Sequence, residues 1–381
     1  MFKRLSTTEQ QLLWKWGPTL LASMLATLIF IVIGQTPVIR ALALGGAIAG
    51  VTAALRPFGG WLALVGGLAL ALTPAFWSQT GGSQPDVLIL GLLIVGLLVM
   101  LLVGRLGRQL DLAMGAGLLI FIVLFWLLVG TPRSLRLTVL LSAWMLFLLV
   151  DSLLTAHPRA EDPSAKPLKP YQQFGLLLLA ALGVVNDPLF TLLIPAVAIT
   201  LLASHTPIPR LYWITFIVIG AIGGRGLWAT YLDSGWWDYP ALNAISAQIQ
   251  VPFVIREAWR EPLRWIDLGA VIIKQFTLPG LLLGILGVSR LSRWYPPIGT
   301  LTLFAFVSYA TFGLAYFGAD RPVLLLPMWM IQIFWMTYAM HAISHWLQRS
   351  FTGLQPLIRL ATPAGFALLP AFLLLQLTNR P

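Results

Sequence analysis

The chain has 381 residues, of which 58% are hydrophobic and 10% charged, and a formal net charge of +11. Soluble domains carry roughly 25% charged residues, so a chain with 16 Trp, 20 Phe and a mean hydropathy of +0.86 has lipid as its expected solvent. The lack of Cys excludes disulfides, thiolate metal sites, Cys nucleophiles and iron–sulfur clusters.

Thirteen apolar runs follow in chain order: 17–34, 38–55, 59–77, 86–104, 112–130, 136–154, 172–186, 188–203, 211–229, 266–288, 297–317, 321–345 and 355–376. A span needs about 20 apolar residues, and lipid leaves no water for open backbone groups. The expectation is therefore an all-α polytopic membrane protein of about 13 helices. Lys3, Arg4 and Lys15 ahead of the first run resemble a signal anchor, and that run is kept as a span because no small-residue cleavage site follows. The runs at 172–186 and 188–203 are short and read as a broken pair around Asn186, Asp187 and Pro188.

The basic residues lie mainly in short loops, which sets membrane orientation and argues against nucleic acid as a partner. With a cytoplasmic N-terminus, fourteen of them fall inside, from Lys3 and Arg4 through Arg56, Arg105, Arg210 and Arg290 to Arg359. Five fall outside: Arg40, Arg133, Arg136, Arg321 and Arg380. This split predicts a multi-pass protein of the cell (inner or cytoplasmic) membrane, with its C-terminus external. The Pro-rich, charged segment 157–171 reads as a cytoplasmic linker between membrane halves 1–156 and 172–381. Segment 225–265 is the one sizeable external stretch. Within it, Phe253 to Glu261 reads as an interfacial amphipathic helix, and Arg256, Arg260 and Arg264 recur every four residues as one basic stripe suited to anionic lipid headgroups.

Few residues are available for chemistry. Pro85 and Asp86 open the fourth run, where Asp is either a helix cap or an acid facing an external site. Lys274 lies roughly 12 Å into the tenth run at 1.5 Å per residue. A Lys at that depth snorkels, pairs with Asp267 seven residues back, or meets a lipid phosphate. Asp151 reads as interfacial, and Trp236 and Trp237 as part of an aromatic belt. His341 and His345 have the spacing of paired metal ligands but no acid beside them, so no metal site and no cofactor is expected.

Several stretches together resemble the membrane-embedded glycosyltransferases of the GT-C class, nearest the protein O-mannosyltransferases and aminoarabinose transferases. They run from Pro37 through Arg56, Pro57, Phe58, Gly59 and Gly60 to the segment Leu72 to Trp77 and the pair Pro85 and Asp86. Asn186 to Phe190 and Asp320 to Pro327 agree with them. The resemblance implies sugar transfer from a polyprenyl-phosphate donor on the external face. Those enzymes carry an acidic pair in their first external loop, whereas the loop here is Gln35, Thr36 and Pro37. Transfer needs a base and a way to stabilise the departing phosphate. The base then falls to Asp86, Asp187, Asp233 or Asp238, with Asp86 as the leading candidate and Lys274 and Arg321 as the phosphate-binding cations. The alternative is a non-catalytic relative, retained as a structural or lipid-binding subunit beside other membrane subunits. A small-solute transporter is a third reading, for which only Lys274 supplies a midplane polar group.

Overall fold

The structure, a computed structural model, describes residues 7–81, 119, 121–123, 134–157, 166–232, 253–254 and 257–378. The runs 86–104 and most of 112–130 lie outside them. So do Asp86, Asp233, Trp236, Trp237, Asp238 and Arg256.

The described chain is an all-α membrane protein. In order it forms α1 (Thr7–Val32), α2 (Val38–Leu55), α3 (Gly60–Ala71), α4 (Pro74–Trp77), α5 (Leu135–Ala156), α6 (Pro170–Asn186), α7 (Leu193–Ala203) and α8 (Arg210–Leu232). A two-residue strand β1 (Phe253–Val254) precedes α9 (Pro262–Trp294), α10 (Pro296–Ala315), strand β2 (Tyr316–Phe317), α11 (Arg321–Leu324), α12 (Leu326–Ser350) and α13 (Gln355–Thr378). Among the described residues six helical segments are long and apolar enough to cross a membrane. There are seven if α3 and the segment Pro74–Thr80, bent by 63° at Leu72 and Thr73, form one broken span. The pair at 172–203 is broken as its sequence suggests, with a 3-10 turn (Pro188–Leu192) between α6 and α7.

Small residues bring these helices close, as packing within lipid requires. A Cβ on Gly45 of α2 would lie 2.0 Å from Thr27 Oγ1 of α1, and one on Gly50 would lie 3.0 Å from the backbone of Ala143 in α5. In the second half, Gly287 of α9 lies against α12 so tightly that a Cβ would sit 2.0 Å from the Trp335 carbonyl oxygen. The first turns of α12 lie wholly within the core: every residue from Leu326 to Thr337 is buried. Trp335 Nε1 donates to Thr302 Oγ1 of α10 at 2.9 Å, giving its buried N–H a partner.

α9 is not continuous. Thr277 has φ 67° and ψ 171°, two residues before Pro279. Proline has no N–H to return to residue i−4, and its ring crowds that carbonyl, so the break falls just ahead of it. Glutamines flank the break on both sides: Gln275 Oε1 accepts from the Ala75 N–H of α4 at 2.9 Å, and Gln332 Nε2 of α12 donates to the Gly280 carbonyl at 3.1 Å.

Among the described residues of 253–261 the expected amphipathic helix is absent. Its first two residues are β1, paired antiparallel with β2 (Phe253 with Phe317, Val254 with Tyr316), and Ala258–Arg260 is a 3-10 turn. Helix begins only at Pro262, because proline fits the first turn and drives the preceding residue, Glu261, to extended angles (φ −85°, ψ 118°).

Candidate functional site: the two polar ends of the bundle

Hydrogen bonds sort the described polar groups into two ends. At one end α2, α5, α9 and α12 begin and α6 and α10 finish. Arg40 Nη1, near the start of α2, donates to the carbonyls of Thr80 (3.2 Å) and Gly81 (3.0 Å). Arg136, at the start of α5, donates from Nε to the Gln79 carbonyl at 2.9 Å and from Nη2 to that of Gly81 at 2.6 Å. Two buried guanidinium groups thus hold the carbonyl-rich end of the segment 74–81.

Beside them lies a knot around the break between α6 and α7. Asn186 exchanges bonds with Ser134, donating from Nδ2 to its carbonyl (3.0 Å) and accepting its N–H (3.1 Å). Asp187 is 1% exposed. Its Oδ1 accepts the Leu189 N–H at 3.0 Å and its Oδ2 the Thr138 hydroxyl at 3.1 Å. Among the candidate bases, Asp187 is therefore occupied as the cap of the turn after α6.

The third group at this end is an ion triad. Asp267 Oδ2 accepts from Arg264 Nη1 at 3.0 Å and from Arg321 Nη1 at 2.9 Å. Arg264 also donates to the carbonyls of Gly313 (3.2 Å), Leu314 (2.8 Å) and Tyr316 (2.8 Å), where α10 ends, and its guanidinium lies 3.6 Å from the Phe317 ring centroid. A helix C-terminus presents unpaired carbonyls and partial negative charge, so a fixed guanidinium satisfies both.

This arrangement corrects two expectations. Arg264 is 8% exposed and engaged with protein, so it is not part of a headgroup-facing stripe with Arg260, which is exposed and pairs with Glu257 at 3.3 Å. Asp267 serves Arg264 and Arg321, not Lys274. The signal was in the sequence: Arg264 and Asp267 have the i, i+3 spacing of helix ion pairs, whereas seven residues separate Lys274 from Asp267 along the helix. Lys274 is exposed, three residues ahead of the break at Thr277, and has no hydrogen-bond or ion-pair partner among the described residues. Past the break, Pro279, Gly280 and Leu283 of α9, Met336 and Met340 of α12, and Phe366 of α13 border an apolar groove of about 310 Å³.

At the opposite end α1, α3, α6 and α10 begin and α2, α5 and α9 finish. Arg56 lies 3.9 Å above the Trp16 ring and donates from Nε to the Ala53 carbonyl at 3.2 Å. Asp151, in the last turns of α5, accepts from Gln172 Nε2 at 3.0 Å. Tyr295, between α9 and α10, donates its hydroxyl to the carbonyls of His157 and Leu153. Burial pushes this hydroxyl up to about 12, so it stays a donor. His157 is also buried, which holds its imidazole below its ordinary value, a shift that a hydrogen bond to the Ser204 backbone carbonyl partly offsets. His341 Nδ1 lies 2.8 Å from the Phe58 carbonyl and its ring 4.4 Å from that of His345.

Sequence reasoning missed three features: the guanidinium hold on residues 79–81, the triad on Asp267, and the joint placement of Lys15, Arg56 and Asp151. No family model matches the chain, and comparison with curated proteins and with solved structures gives no match.

Proposed function

We propose that the chain is a GT-C-like, non-catalytic membrane protein that binds a lipid phosphate, such as a polyprenyl phosphate, at the end where Lys274 lies. One observation carries this reading: Arg264 and Arg321, the cations expected to meet phosphate, are both engaged by Asp267, while Lys274 has no partner among the described residues and precedes an apolar groove. An unpaired ammonium at membrane depth is costly and gains most from an anionic partner. The groove offers apolar surface for a hydrocarbon tail. The charge split in the loops supports placing this end outside, with the N-terminus cytoplasmic.

The test is binding of a polyprenyl phosphate to the purified full chain in nanodiscs, compared with the uncharged polyprenol. The reading expects a preference for the phosphate of about tenfold, or about 1.4 kcal/mol, that Lys274→Gln abolishes and Arg260→Gln leaves intact. Equal retention of the two lipids contradicts it.

A second reading, a sugar transferase with Asp86 as base, is favoured by the anchoring of residues 74–81. Arg40, Arg136 and Gln275 hold this stretch, which leads in sequence to Pro85 and Asp86. Turnover of a sugar-charged polyprenyl phosphate by the lone chain, lost in Asp86→Asn, would establish it over the first.

A further inference from the structure

At the end opposite Lys274, a cavity of about 360 Å³ opens between the starts of α1 and α3 and the ends of α2 and α5. Lys15, Arg56 and Asp151 line it together with Pro18, Gly60 and Phe147. Each of the three charged groups keeps bonding capacity that no described residue uses. The Lys15 side chain is exposed and has no hydrogen-bond or ion-pair partner among the described residues. Arg56 is held by Trp16 and by the carbonyls of Ala53 and Lys15, through Nε (3.2 Å) and Nη1 (3.5 Å), which leaves Nη2. Asp151 receives Gln172 on Oδ2 at 3.0 Å, which leaves Oδ1. Stacked on Trp16 and tied to the backbone, the Arg56 guanidinium is fixed before any ligand arrives, which lowers the entropy cost of binding.

Two cations and one carboxylate around one opening match a ligand that carries an anion and a cation a few bonds apart. The walls beside them are apolar. Leu20, Leu21, Met24 and Leu28 continue along α1 from Lys15 as exposed apolar side chains, and Trp61, next to Gly60, is exposed too, surface suited to hydrocarbon. We propose that this cavity is a headgroup site for an aminophospholipid: the phosphate lies between Lys15 and Arg56, and the primary ammonium donates to Asp151. A choline headgroup cannot donate to Asp151, and a glycerol headgroup carries no cation for it. The site is separate from the lipid-phosphate site proposed around Lys274, and its test does not depend on that one.

The experiment is native mass spectrometry of the full chain from detergent, supplied with equal amounts of phosphatidylethanolamine, phosphatidylcholine and phosphatidylglycerol. The expected result is one phosphatidylethanolamine retained with at least about tenfold preference. Asp151→Asn removes the preference over phosphatidylglycerol, and Lys15→Gln weakens retention of both phosphatidylethanolamine and phosphatidylglycerol. Lys15 bonds to no described residue through its side chain, so Lys15→Gln tests the site even where Asp151→Asn impairs folding. Free phosphoethanolamine is added as a competitor: no displacement at millimolar concentration identifies a lipid source, and complete displacement identifies a soluble zwitterion of the same chemistry in the same cavity. Equal retention of the three lipids, or an unchanged preference in both variants, overturns the proposal.

Discussion

The two ends of the bundle contain the same kinds of residue and use them in opposite ways. At one end the guanidiniums of Arg40, Arg136, Arg264 and Arg321 are turned inward onto backbone carbonyls or onto Asp267, and the exposed Arg260 pairs with Glu257. At the end of Lys15, Arg56 and Asp151, the charges border open space. The difference follows from what each end must close. Where α10 stops and the segment 74–81 turns back, several carbonyls are left without helical partners, and in a low-dielectric setting these cost more unpaired than the burial of an arginine that satisfies three of them. At the opposite end the Tyr295 hydroxyl meets carbonyls where α5 finishes, and Arg56 donates to the Ala53 and Lys15 carbonyls through Nε and Nη1, keeping Nη2 available. A basic residue in a membrane protein is thus not in itself a lipid or phosphate site.

The largest expected effect separates the ends by stability. Arg264→Leu strands the carbonyls of Gly313, Leu314 and Tyr316 and removes one of two partners from Asp267, which costs roughly 3–5 kcal/mol in denaturant titration of the detergent-solubilised chain. Arg56→Leu, at the half-exposed opposite end, costs about 1 kcal/mol, mainly its stacking on Trp16. Equal losses would erase the distinction. Between the two ends, Thr277 holds a backbone conformation that favours glycine, so Thr277→Gly stabilises by about 1 kcal/mol in the same titration. A loss instead would mean that the Thr277 side chain supports the break.

A pH effect is expected at the end of Lys15. The folded chain holds His157 below its ordinary value, so on acidification the unfolded state takes up a proton first. Stability from this group is complete above about pH 6.5 and declines as pH falls below it. Unfolding midpoints at about pH 7.5 and about pH 5.5 should fall further for the native chain than for His157→Gln. An equal fall in both would remove His157 from the account. The smallest effect is the most telling for ligand binding: Lys15→Gln changes stability by no more than about 0.5 kcal/mol, since its side chain bonds to nothing described.

Much of the fold was legible in the sequence. The apolar run 38–55 is α2 to the residue, and the run 136–154 is α5 within two residues at each end, because lipid forces each apolar stretch to close its own hydrogen bonds. The break at Asn186 was legible for the same reason, Pro188 being unable to continue the helix. The helix expected over 253–261 was not. Its residues have a helical charge pattern, but pairing with β2 and the start imposed by Pro262 outweigh that pattern. The distant partners of the arginines were also hidden. Arg321 meets Asp267 across 54 positions and Arg136 meets Gln79 across 57, and nothing local marks which carbonyls a turn leaves open.

Labelling of arginines in the folded, detergent-solubilised full chain with a dicarbonyl reagent, read by mass spectrometry, tests the central distinction most directly. The account predicts that Arg56 is modified early and is protected when phosphatidylethanolamine is supplied, while Arg40, Arg136, Arg264 and Arg321 react only once the protein unfolds. Modification of Arg264 and Arg321 as fast as Arg56 in the folded chain would contradict it.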